Sequence, residues 1–173
     1  MATESLQDLY ILQLKDLYSA ERQITKALPK MAKTASSSEL RSAFLEHLQQ
    51  TERQIERLEQ IFERAGKSPR GKKCKGMEGL LKEGEELMQQ DVDADVLDAG
   101  LIGAAQRVEH YEIASYGTLR TYARLLGNEE AADLLQQTLN EEGQTDKKLS
   151  LLAENSINIE ATAGYKDTNL RPV

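Results

Sequence analysis

The chain has 173 residues, a length that suits one domain and is short for two. Charged residues make up 29 % and aromatics only 5 %, with no Trp, which fits long amphipathic helices better than a sandwich or barrel. The net charge of −7 disfavours nucleic acid as a general partner, because neutralising phosphates requires a basic surface.

The first helix is predicted to open near Ser5, where Ser5 and Asp8 resemble a capping box with Asp in place of Glu. Leu6, Leu9, Tyr10, Leu14, Leu17, Glu21, Ile24 and Leu28 then mark one face. Pro29 is expected to kink or weaken its end, and the polar run Thr34 to Ser38 to close it. A second helix, capped at Ser38, carries Leu40, Phe44, His47, Leu48, Thr51, Ile55, Leu58, Ile61 and Phe62 and stops at Gly66. The basic stretch KSPRGKKCKG reads as a loop, and MEGLLKEGEELMQQ as a short helix after it. Asp93 can cap a third long helix with Leu97, Leu101, Ala105, Val108, Glu112, Ser115, Leu119, Tyr122 and Leu126 on its stripe. Gly127 ends that helix and Asn128 caps the fourth, whose stripe is Leu135, Thr138, Leu139, Glu142, Thr145, Asp146, Leu149 and Leu152. The expected architecture is all-α: a four-helix bundle over 1–156 with an additional short helix between its two hairpins, then a polar tail over 157–173.

The two hairpins read as an internal repeat. A constant shift of 91 positions places Leu17 on Val108, Glu21 on Glu112 and Leu28 on Leu119. The same shift takes Phe44 to Leu135, Leu48 to Leu139 and Leu58 to Leu149 without a gap. A pseudo-two-fold axis between the hairpins would set Glu21 opposite Glu112.

Five carboxylates and one imidazole fall on these apolar stripes: Glu21, His47, Glu109, Glu112, Glu142 and Asp146. A carboxylate taken from water into a core must be protonated, paired or bound to a cation. Dimetal sites in four-helix bundles take one Glu from each of two helices and Glu-x-x-His from each of the others, since residues three apart share a helix face. Glu21 and Glu112 occupy the single-Glu positions, and Glu142 the Glu place of the fourth helix, with Thr145 where His is usual. In the second helix the equivalent positions are Thr51 and Gln54, a poor match. Glu109 and Asp146, one turn from Glu112 and Glu142, can make up the missing charge, and His47 is the one imidazole on a stripe. Each has a competing structural reading: an ion pair of Glu21 with Arg22, a solvated Glu109, an Asp146 held by Lys147 and Lys148, a core hydrogen bond for His47. His110 lies roughly 100° around the helix from Glu109 and reads as flanking. Tyr18 and Tyr111 read as packing residues. Oxygen ligands with one imidazole suit iron or manganese.

Cys74 is the one cysteine, which excludes an intramolecular disulfide and fits a reducing compartment. Its neighbouring lysines are expected to lower its pKa slightly, with packing as its role. No apolar run approaches membrane-spanning length, and MATESLQDLY lacks the basic and apolar regions of a signal peptide, so a cytoplasmic location without membrane contact is expected. No phosphate loop, nucleophile triad or dinucleotide fingerprint is present.

The segments DLYSAERQ, EHLQQTERQIERLEQIF, KCKGMEGL, AAQRVEHYEIASYGTL and TLNEEGQTDKKL resemble the ferritin-like bacterial stress-associated proteins of the YciF and YciE type (DUF892-like), over roughly Ser5 to Ser156. The resemblance implies a ferritin-like bundle, a homodimer, and a dinuclear iron or manganese centre similar in layout to that of rubrerythrins. Carried over by position, it implies Glu21, Glu109, Glu112, Glu142 and Asp146 as the centre, with His47 and Gln54 inside or beside it. Glu78, in the MEGL segment, would approach the site or only cap its helix. Unlike rubrerythrins and ferritins proper, this chain lacks both Glu-x-x-His pairs.

Two functions follow as expectations. In the first, a dimetal-carboxylate centre oxidises Fe(II) or handles dioxygen or peroxide under stress, with Glu21 and Glu112 as terminal ligands and Glu142 bridging. Five ionised carboxylates against two divalent cations would leave one net negative charge and favour the oxidised metal. In the second, the protein is a non-enzymatic dimeric stress scaffold with a degenerate metal site, its carboxylates sharing protons or pairing with internal cations. Metal ions are the expected partners in the first, and nucleic acid is an unlikely partner in either.

Overall fold

The computed structural model describes residues 3–163. Four long helices, α1 (Leu6–Thr34), α2 (Ser38–Arg64), α4 (Ala94–Leu125) and α5 (Glu129–Leu152), form two hairpins, and a short α3 (Lys75–Met88) lies between them in the chain. No strand occurs among the described residues, and none of their helices is long and apolar enough to cross a membrane. The hairpins meet through α1 against α4 and α2 against α5, while α3 packs on α4 and α1. This is the expected four-helix bundle with one inserted helix.

Local chemistry accounts for the helix ends. Ser5 Oγ accepts from the Asp8 amide at 3.1 Å and donates to Asp8 Oδ2 at 2.7 Å, so the capping pair forms as the sequence suggests. Gly66 and Gly127 both take positive φ, 61° and 74°, and close the two C-termini. In each case the next amide reaches back to a carbonyl five residues earlier, Lys67 to Phe62 at 3.0 Å and Asn128 to Ala123 at 2.9 Å. Asn128 caps α5 and Asp93 caps α4.

Three details depart from the sequence reading and one agrees with it. The cap of α2 is Ser37, not Ser38, because Ser37 Oγ accepts from the Leu40 amide while Asp98 of α4 grips the turn from outside. Helix α1 closes at Thr34, as expected, with Pro29 inside it and its last turn packed into the core by Met31 and Ala32. Helix α3 begins two residues early, capped by the sulfur of Cys74, which is itself buried. The expected polar tail is still helical at its start: a π-helical turn at Ala153–Ile157 leads into α6 (Asn158–Ala163). Ile157, only 1 % exposed, draws this segment onto the bundle, and α6 packs on α4. The remainder of the tail, 164–173, lies outside the described residues.

The core is a continuous column of Leu14, Leu17, Ile24, Phe44, Leu58, Phe62, Leu101, Leu119 and Leu135, each essentially without solvent contact. Full burial of each such side chain is worth roughly 1.5–3 kcal/mol. Gly100 allows α3 to lie close on α4, since a Cβ there would stand 2.8 Å from a Leu87 methyl. The column is interrupted midway by charged side chains.

Candidate metal centre

At that interruption His47 of α2, Glu109 and Glu112 of α4, and Glu142 of α5 converge. One potential ligand atom from each lies within 4.8 Å of every other, and all four residues are buried. Glu21 of α1 lies beside this group, also with no exposed surface, and its carboxyl is coupled electrostatically to Glu112 and Glu142. The positions follow from helix geometry: Glu109 and Glu112 are one turn apart on the inner stripe of α4, so both carboxylates enter the same space.

The hydrogen-bond inventory is incomplete. His47 Nδ1 stands 3.1 Å from Glu109 Oε1, a close contact without hydrogen-bond alignment, and Nε2 stands 3.6 Å from Glu142 Oε2. Tyr116 donates its hydroxyl to Glu21 Oε1, and Gln54 donates its amide to Glu142 Oε1. Both oxygens of Glu109, both of Glu112, Glu21 Oε2, Glu142 Oε2 and His47 Nε2 are buried with no hydrogen-bond partner. Buried oxygens left this way cost several kcal/mol per ionised group, and native interiors rarely tolerate them in clusters.

The electrostatics agree. Burial, reinforced by the charge of Glu142, pushes Glu21 up to about 8. Burial and neighbouring carboxylates hold Glu109 and Glu112 well above the ordinary carboxylate range. Burial works against an ionised Glu142, but the nearness of His47 and Glu109 and the amide of Gln54 outweigh it and keep that group below its usual value. Burial and the Glu21 carboxylate raise the Tyr116 hydroxyl well above its ordinary range. Without a cation, burial therefore favours protonated Glu21, Glu109 and Glu112, while Glu142 is the member that most readily stays ionised.

These residues fit a metal. The unpartnered atoms are carboxylate oxygens and one imidazole nitrogen; His47, Glu109, Glu112 and Glu142, from three helices, converge on one space, and Glu21 of the fourth helix adds a further unpartnered oxygen. Tyr116 and Gln54 each occupy the opposite oxygen of a cluster carboxylate and so orient the free one, the usual arrangement around a metal ligand.

The sequence reading placed five of its six candidates here, and Asp146 stands apart. Its side chain is 22 % exposed and Oδ1 is already held by Gln106 at 3.0 Å and His110 at 3.3 Å. His110 itself is largely exposed, as its flanking position implied. Glu78 does not approach the site: it sits in the first turn of α3, and bonds to Lys73 and Lys75 lower it to about 2. Gln54 bonds Glu142, whereas Thr51 spends its hydroxyl on the carbonyl of His47 at 3.0 Å. Tyr18 and Tyr111 are tied to Glu59 and Asp16. Burial pushes the Cys74 thiol up, opposite to the lowering expected from its lysines, which point to Glu78 instead. Tyr116 was not singled out, although it follows Glu112 by four residues and so shares its face.

The family described as "Domain of unknown function (DUF892)" matches residues 5–162. Protein YciF of Escherichia coli strain K12 is 48 % identical over 162 residues, 93 % of this chain and 98 % of that protein. The crystal structure of the E. coli stress protein YciF superposes with a TM-score of 0.87, covering 90 % of this chain and 98 % of that one. A two-domain protein from Anabaena variabilis, with DJ-1-like and ferritin-like domains, is 19 % identical with a TM-score of 0.62, covering 99 % of this chain and 42 % of that one. That likeness concerns the fold alone, which is ferritin-like. With its bundle, its inserted helix and nearly its full length matched, the chain belongs to the DUF892 family, alongside YciF.

Proposed function

We propose that the buried cluster is a dinuclear metal-carboxylate centre, loaded with iron or manganese, and that the protein uses it to oxidise Fe(II) with dioxygen or hydrogen peroxide. The observation that carries this reading is the convergence of unpartnered oxygens of Glu21, Glu109, Glu112 and Glu142 with His47 Nε2 inside a water-excluding core. Four ionised carboxylates balance two divalent cations, a neutral account that replaces the net negative charge expected when Asp146 was included. Iron held there supplies the one-electron change per ion on which reduction of dioxygen or peroxide draws.

The chain's own residues do the rest. Glu109 and Glu112 offer both oxygens, Glu21 and Glu142 one each beyond their bonds to Tyr116 and Gln54. Protons held on Glu21, Glu109 and Glu112 leave as cations enter. The surrounding leucines keep bulk water away from the reacting groups. We further propose that the protein acts in the cytoplasm as a homodimer, a reading supported by its resemblance to the YciF and YciE type and, for the compartment, by its single thiol. Sedimentation tests the dimer.

A second reading is a stress scaffold whose metal site has degenerated. It is favoured by Thr51, Gln54 and Thr145, which stand where Glu and His complete such centres elsewhere. Purified protein supplied with Fe(II) in air separates the two. The centre predicts bound iron at two ions per chain and oxidation faster than buffer; a chain that stays metal-free and inert would overturn the centre and favour the scaffold.

A further inference from the structure

His47 separates two spaces of opposite character. On one side, together with Glu109, it borders a hole of 10 Å³ walled by Ile24, Leu28, Leu81 and Val108. On the other it lines a recess of 160 Å³ between α2 and α5, shared with Glu46, Gln50, Gln144, Thr145 and Lys148. The recess opens to solvent through Glu46 and Lys148, an ion pair bridging the two helices with both side chains about half exposed, 56 % and 47 %. Further in, Thr145 Oγ1 meets Gln50 Oε1 at 3.1 Å and ties the same helices together. Thr145 and His47 are themselves buried.

A hydrated divalent cation sheds its waters only as other oxygens replace them. The apolar hole offers no replacement along its walls, so passage there would strip the ion at full desolvation cost. The recess offers a carboxylate at its rim, then amide and hydroxyl oxygens, then the imidazole that belongs to the cluster. We propose that the α2–α5 recess is the route by which a divalent cation reaches the buried cluster, with the Glu46–Lys148 pair as its gate. This route rests on the metal-centre reading above. Glu46 attracts the ion once Lys148 swings aside, the Gln50–Thr145 bond opens, and the ion passes His47 into the core. While it stays paired, Lys148 places a positive charge at the mouth and slows capture.

The test follows Co(II) loading of the full chain by its visible absorption in stopped flow, with equilibrium affinity measured separately. Gln50→Trp and, at the exposed rim, Gln144→Trp fill the recess. Each is expected to slow loading severalfold while leaving the affinity unchanged. Lys148→Glu is expected to speed loading by about tenfold at low salt, with the gain fading as salt rises. Ala27→Phe, which narrows the apolar side, is expected to leave the rate alone. Loading at the parental rate in both Trp variants, or slowing only in Ala27→Phe, would overturn the route while leaving the metal centre standing. Failure of the parent chain to bind Co(II) would overturn the centre and the route with it.

Discussion

Two buried acidic regions of this bundle solve the same problem in opposite ways. Asp98 is 2 % exposed, yet the protein satisfies it completely. The Ser36 amide at 3.0 Å, the Ser36 hydroxyl at 2.7 Å and the Ser37 amide at 2.7 Å all donate to it and fasten the α1–α2 turn to α4. Glu109 and Glu112, on the same helix three and four turns away, are as deeply buried and accept no hydrogen bond at all. A fold able to satisfy one buried carboxylate so fully has left the others open. On the proposed reading, the difference separates a structural acid from acids kept for a cation.

Breaking the satisfied region should give the largest effect. Asp98→Ala leaves two turn amides and a hydroxyl unpartnered, so unfolding free energy in urea should fall by about 3–5 kcal/mol while metal affinity is kept. Glu112→Gln should do the reverse. Glutamine keeps the neutral side chain that burial already favours at this position, so metal-free stability should hold or rise while calorimetric metal affinity falls more than about 100-fold.

The pH dependence follows from the raised groups. Glu21, with a folded pKa of about 8, stays protonated in the folded chain where the unfolded chain has already ionised. The folded state then binds more protons, so stability is greatest below the unfolded pKa of 4.5 and falls as pH rises through about 8. Glu109 and Glu112 act in the same direction. Metal-free protein should therefore lose on the order of 1 kcal/mol per pH unit for each proton held, read by urea unfolding at pH 5, 6.5 and 8. Glu142, lowered, acts with the opposite sign and only in acid. Metal loading should flatten the slope, because the cations replace the protons.

Smaller changes sharpen the boundary of the site. Tyr116→Phe frees Glu21 Oε1, and about a tenfold loss of metal affinity is expected, within the range for a residue that orients a ligand. Asp146→Asn should change both affinity and stability by less than about 0.5 kcal/mol, since that side chain faces Gln106 and His110 near the surface.

The pattern of what could be read from the chain has a physical basis. Helix stripes built on Leu17, Phe44, Leu101 and Leu135 are repeated signals, and all four long helices lie where those stripes place them. Charges on the inner stripes stand out against such a background, which is why Glu21, His47, Glu109, Glu112 and Glu142 could be named. Asp146 sits at the edge of its stripe, and a rotation of a few tens of degrees about α5 decides between core and surface. Asp98 has no local signature because its partners are backbone amides of a turn 62 and 61 residues distant, a tertiary contact. Ile157 was a lone apolar residue in a polar run, so nothing periodic marked the continuation into α6. Cys74 looked like a loop thiol because capping by sulfur and burial under Tyr111 depend on how α3 docks.

The central claim is that the open acids are held for metal. Crystals of protein loaded anaerobically with Fe(II) and measured at the iron absorption edge test it most directly. The account predicts two anomalous peaks among His47, Glu109, Glu112, Glu142 and Glu21, with Asp98 and Asp146 bare. A cluster without anomalous density, from protein shown to be folded, would contradict it.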